Sequence, residues 1–147
     1  MSMIEFTEIF QECGIFNDNF GSKQLPAQFA MSMMTQVDEL DQDRHMQMSF
    51  AEYIEAFVRV AEQTTIPHLV QDKESYSLES ILDGVVTAED QLRFGKRPLT
   101  LKIESLIYLL CQIHFPKSYG ALKTQVDKMK KIGVKANDID PGNIKFQ

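Results

Sequence analysis

Residues 41–52 read Asp-Gln-Asp-Arg-His-Met-Gln-Met-Ser-Phe-Ala-Glu. Acids stand at Asp41, Asp43 and Glu52, and on both sides the chain takes up helical spacing. Before the stretch come Phe29, Met33, Val37 and Leu40. After it Phe50, Tyr53, Ile54, Phe57, Val58 and Ala61 fall at i, i+3, i+4, i+7, i+8 and i+11, one face of a helix. The spacing predicts a helix over 26–40, an acidic loop, and a second helix from 50 to about 62. Ser49-Phe-Ala-Glu52 is also a capping box, in which the serine hydroxyl and the glutamate carboxylate satisfy free N–H groups at a helix start.

Helix, acidic twelve-residue loop, helix over about 26–62 resembles an EF-hand. That family's calcium loop offers oxygen ligands at positions 1, 3, 5, 7, 9 and 12. Counted from Asp41, the resemblance implies Asp41, Asp43, His45, the Gln47 carbonyl, Ser49 and Glu52 at those positions, with Met48 at position 8. Two positions depart from the pattern. His45 presents imidazole to a cation that prefers oxygen. Met46 stands where the family has glycine for a sharp turn, and a non-glycine residue at positive φ costs about 1 kcal/mol or more. The expectation is a degenerate, calcium-independent EF-hand without a cofactor. The alternative is a weak calcium sensor or buffer, with water in place of His45 and a dissociation constant of about 10⁻⁴ M or poorer. Met48–Ala61 also resembles the helix that follows degenerate EF-hand loops in large ciliary and cytoskeletal assemblies.

At 147 residues, 44% apolar and 24% charged, the chain suits one folded unit rather than a disordered segment. No apolar run is long enough to span a bilayer, and the N-terminus lacks a basic-then-apolar signal. Cys13 and Cys111 lie far apart on apolar helix faces, as expected of buried free thiols in a reducing, cytoplasmic setting. The charge is uneven. Residues 1–95 hold 17 acids and 5 bases, net −12, while residues 96–147 hold 4 acids and 10 bases, net +6.

Further helices are expected on either side of the acidic stretch. Ser2 and Glu5 cap a first helix whose apolar face is Phe6, Ile9, Phe10 and Cys13, and Gly14 stops it. Residues 14–25 form a loop anchored by Phe16, Phe20 and Leu25; the ligand residues of a second, partner hand are mostly missing there. The density of Met31, Met33, Met34, Met46 and Met48 suits core filling first and an adaptable partner groove second. Pro67 within 63–73 marks the boundary between an EF-hand-like region, 1–72, and a helical region, 73–147, expected to form one compact unit. His68 is read as a loop residue. A helix begins near Ser77, restarts at Thr87, and breaks at Phe94–Pro98. Leu99–Phe115 is apolar on most sides, as in a helix central to a core or covered by a partner, and Pro116 ends it. The last helix, 118–132, pairs a Leu122, Val126, Met129 and Ile132 stripe with Lys123, Lys128, Lys130 and Lys131. It is expected to dock as a surface helix and to face acidic protein surface. The tail, 134–147, is aperiodic but carries Ile139, Ile144 and Phe146.

Signatures of catalysis are missing: there is no glycine-rich phosphate loop, GxSxG, HExxH or CxxC. Cys111 and His114 fall at i, i+3 on one helix, yet no acid is placed to orient the imidazole. An acidic chain with lysines concentrated on one helix does not suggest nucleic-acid binding. The reading is therefore an all-α fold of about six helices. Its expected role is a non-catalytic protein–protein interaction module, a small structural subunit of a larger assembly, cytoplasmic and of the ciliary or cytoskeletal kind that the second resemblance implies.

Overall fold

A computed structural model describes residues 1–33 and 47–132, except for the side chains of Tyr119, Leu122, Val126, Lys130, Lys131 and Ile132. The described residues are all-α. The helices are α1 (Met3–Gln11), α2 (Leu25–Ser32), α3 (Phe50–Gln63), α4 (Leu78–Leu82), α5 (Ala88–Gly95), α6 (Leu99–His114) and α7 (Pro116–Ile132), with one 3₁₀ turn at Ser22–Gln24. No strand occurs among the described residues beyond one isolated antiparallel bridge, Ser2 to Gln47. None of the described helices is long and apolar enough to cross a membrane.

Local chemistry sets most helix starts. Ser2 with Glu5 and Ser49 with Glu52 form the expected reciprocal capping boxes of α1 and α3. Ser77 and Thr87 cap α4 and α5 through their hydroxyls. Pro98 caps α6, and Pro116, expected only to end α6, is also the first residue of α7. Proline suits that place, because the first turn of a helix has no use for its missing N–H. Gly14 takes φ +61 after α1, and a Cβ there would lie 2.7 Å from the Ile81 carbonyl oxygen. Only glycine allows both the left-handed turn and the close approach of α4.

Two expectations need correction. Within the helix predicted over 26–40, α2 ends at Ser32 and Met33 is extended at ψ 123, while 34–40 lie outside the described residues. Ser32 Oγ donates to the Gln28 carbonyl at 2.9 Å in that last turn. The buried face of α3 is rotated from the one its apolar stripe suggests. Glu52, Ala56, Phe57, Val60 and Ala61 are buried, whereas Phe50 and Ile54 are 79% and 45% exposed.

The core runs through most of the described helices. Phe6 and Phe10 of α1 stack edge-on at 5.1 Å, and Phe6 meets Phe29 of α2 at 5.7 Å. Phe10 reaches Phe57 of α3 at 6.3 Å. Such pairs add about 0.5–1.5 kcal/mol each beyond their area. Cys13, Ile15, Phe20, Ile66, Ile81, Leu106 and Leu109 continue the same buried cluster. The core therefore crosses the expected boundary near Pro67, which is itself buried.

Candidate functional site

The N-terminal stretch through α1, the start of α3 and the end of α6 enclose an open groove of about 580 Å³. Met1 and Ile9 form one wall. Met48, Phe50 and Tyr53 form the second, and Leu110, His114 and Phe115 the third. Phe50 stands 79% exposed and Phe115 63% exposed at its mouth. Both rings sit where they do for local reasons. Phe50 is the first residue after the Ser49 cap, and Phe115 is the non-helical link, at φ −134 and ψ 57, between α6 and α7.

A second hollow of about 580 Å³ adjoins the first and shares Met1, Ile9 and His114 with it; Glu5 and Glu8 complete its lining. Glu5 and Glu8 of α1 and Glu12 at its C-cap are all exposed. Hydrogen bonds from Ser2, backbone first, hold the Glu5 carboxyl below its ordinary pKa. The site is thus an apolar cleft with an acidic shoulder. Such a surface can hold an amphipathic segment.

The thiols bear on this chemistry. Cys13 is fully buried, and its Sγ–H donates to the Ile9 carbonyl at 2.9 Å. Burial first, then Glu12, pushes its pKa up to about 11. His114 Nε2 lies 3.8 Å from that sulfur and 3.1 Å from the Ile9 oxygen. A carbonyl only accepts, so Nε2 carries the proton. Burial also raises Cys111. Both thiols stay protonated at neutral pH, and the histidine expected beside Cys111 ties α6 to α1 instead.

Of the six expected loop positions, Asp41, Asp43 and His45 lie outside the described residues. Gln47 is exposed and bridges Ser2. Met48 N donates to the Met1 carbonyl at 2.7 Å, and Met1 N donates to the Met48 carbonyl at 3.0 Å. The position-8 residue of the loop therefore pairs with the N-terminal segment. Ser49 Oγ accepts from Glu52 N at 3.4 Å, and Glu52 Oε2 accepts from Ser49 N at 2.6 Å. Helix capping thus accounts for both residues without a metal. Among the described residues no three His, Cys, Asp or Glu side chains converge on a metal position.

His68, expected as a plain loop residue, is only 1% exposed. Its Nδ1 accepts from the N–H groups of Val70 and Gln71, both at 3.2 Å, and its Nε2 faces Glu104 Oε1 at 3.5 Å. Its ring meets Tyr108 edge-on at 5.2 Å. Next to it Asp72 accepts from His68 N and pairs with both terminal nitrogens of Arg97 at 2.8 Å. Burial alone would raise the Asp72 pKa, but the bonds from Arg97 and His68 outweigh it and hold the carboxyl low. These groups come from 68–72, 97 and 104–108, so no local motif could have revealed them. Comparison with protein-family models, characterised proteins and solved structures found no match for this chain.

Proposed function

We propose that this chain is a non-catalytic protein–protein interaction module, a small structural subunit of a larger cytoplasmic assembly, and that the α1–α3–α6 groove is its binding face. The observation that carries this reading is the pair of aromatic rings at the groove mouth, Phe50 and Phe115, 79% and 63% exposed. Covering one such ring is worth about 1.5–3 kcal/mol, and exposed aromatics around a cleft are the usual anchors of protein interfaces. Helix α3, capped by Ser49 and Glu52, then serves as a calcium-independent scaffold that presents Phe50. Placement among ciliary or cytoskeletal subunits rests on the resemblance of residues 48–61 alone.

Photo-crosslinking tests the reading. A benzoyl-phenylalanine replaces Phe50, Phe115 or, as control, Leu92, which is exposed on α5 and lies outside the groove lining. Defined protein adducts at 50 and 115, and none at 92, are expected in extracts of the cells that make the protein. No adduct at the two groove positions, or the same adducts at all three, would overturn the reading.

A further inference from the structure

We propose that the groove receives an amphipathic helix of a different protein, whose apolar stripe is flanked by lysine or arginine that reaches Glu5 and Glu8. The inference rests on the interaction-module reading and names the chemistry of the partner.

The backbone along the groove favours a helix over an extended peptide. A peptide that adds as a strand needs unpaired N–H and C=O groups on an edge. The place for that would be the Ser2–Gln47 bridge, next to Met1 and Met48 of the lining. Ser2 N donates to Glu5 Oε2 at 2.7 Å, and the Ser2 carbonyl accepts from Phe6 N at 3.0 Å. Met1 and Met48 exchange N–H to carbonyl bonds in both directions. Ser49 N donates to Glu52 Oε2, and the Ser49 carbonyl accepts from Tyr53 N at 2.9 Å. Main-chain pairing along this wall is already taken up, so a partner binds through side chains. A helix arrives with its own backbone bonds made and presents side chains at i, i+3 and i+4 on one face.

The two adjoining hollows match the two faces of such a helix. Ile9, Met48, Phe50, Tyr53, Leu110 and Phe115 give the first an apolar lining. The second shares Met1, Ile9 and His114 with it and adds Glu5 and Glu8, so the carboxylates stand directly beside the apolar surface. Hydrogen bonds from Ser2 hold the Glu5 carboxyl below its ordinary pKa and keep it charged at neutral pH. Glu8 is exposed and makes no ion pair among the described residues. No lysine or arginine is among the described residues that line either hollow. An apolar stripe fills the first hollow, and a basic side chain beside it reaches the second. Charges at such a rim orient and select the partner, while the apolar anchors hold it. A small-molecule site encloses most of its ligand, whereas both hollows are open to solvent.

Synthetic helices of about 18 residues, long enough to be helical alone, test the proposal. Three peptides share one leucine stripe and carry lysine, glutamine or glutamate beside it. A fourth has the lysine pattern with a central proline, which breaks the helix. Fluorescence anisotropy at low salt reads their binding to the full chain. The lysine peptide should bind at least about threefold more tightly than the glutamine peptide, and the glutamate and proline peptides more weakly still. Glu8→Lys should weaken the lysine peptide by about threefold to tenfold and remove its advantage over the glutamate peptide. Phe50→Ala should weaken every peptide about tenfold or more. Glu74→Lys makes the same charge change at an exposed residue outside both hollows and should alter nothing. Circular dichroism melts check that each variant is folded. Equal binding of the lysine and glutamate peptides, undiminished binding of the proline peptide, or equal losses from Glu8→Lys and Glu74→Lys would each overturn the basic-helix partner. If no peptide binds while photo-crosslinks at positions 50 and 115 persist, this inference fails and the interaction module stands; loss of both would end both.

Discussion

At the scale of single residues, His68 shows how an unremarkable letter becomes a buried commitment. Its Nδ1 accepts two backbone N–H groups, so the neutral ring carries its proton on Nε2, toward Glu104. Charging the ring would put a proton on Nδ1, against two donors. Burial lowers its pKa below 6.5, and the nearby Glu104 and Asp72 carboxylates only partly offset this. Above 6.5 the ring is neutral in both the folded and the unfolded chain. As pH falls below 6.5 the unfolded chain takes up a proton that the folded chain refuses, so stability declines toward the folded pKa. Asp72 has the opposite origin, a lowered carboxyl, and its contribution is lost only below its ordinary value of 3.8. The slope from His68 cannot exceed about 1.4 kcal/mol per pH unit. His68→Asn keeps an acceptor for Val70 and Gln71 but does not titrate, so its melting temperature should fall less between pH 6.5 and 5 than that of the wild type. Parallel melting curves for the two proteins would refute this account. Nothing in the sequence around residue 68 signals this role, because the ring's neighbours Glu104 and Tyr108 come from α6.

At the scale of elements, α3 was readable at its start and misleading along its length. The capping box is a local device of four residues, and it appears as the sequence predicts. The buried face depends on which neighbours arrive. Six apolar positions make a stripe wider than one contact. Packing against α2 and α6 takes the side with small Ala56 and Ala61, and Phe50 and Ile54 are left outside. Of that remainder, Phe50 lines the groove. The end of α2 was hidden because the apolar spacing continues to Met33, where the backbone turns extended. The α3 cap also separates the scaffold and calcium readings. Ser49→Ala should cost about 1 kcal/mol, and Glu52→Ala a similar amount or more, because the Ser49 N–H loses its acceptor. Glu52→Gln keeps that acceptor and should be milder. For a structural loop, millimolar calcium should leave the melting temperatures of wild type and Glu52→Gln unchanged. A rise of several degrees in the wild type alone would turn the loop into a working calcium site.

At the scale of the whole molecule, the division suggested near Pro67 meets a core that runs through it. Phe6, Phe10 and Phe57 from the first half, Ile66 from the expected break, and Ile81, Leu106 and Leu109 from the second half belong to one buried cluster. Pro67 interrupts helical spacing, but an interruption becomes a flexible linker only if its side chains stay in water. Ile66, Pro67 and His68 are instead buried. A shared core implies a single cooperative transition, because neither half keeps its apolar surface covered once the other opens. Calorimetry at fixed protein concentration should show one peak, with calorimetric and van't Hoff enthalpies in agreement. Leu106→Ala empties a fully buried site on α6. It should cost about 2–5 kcal/mol and lower the whole peak by on the order of 10 °C, given about 2–4 °C per kcal/mol for a chain near this length. The helices on both sides of Pro67 should move together, as amide exchange in α1 and α6 would report. If Leu106→Ala shifted only part of the peak while α1 kept its protection, the two halves would be separate folding units.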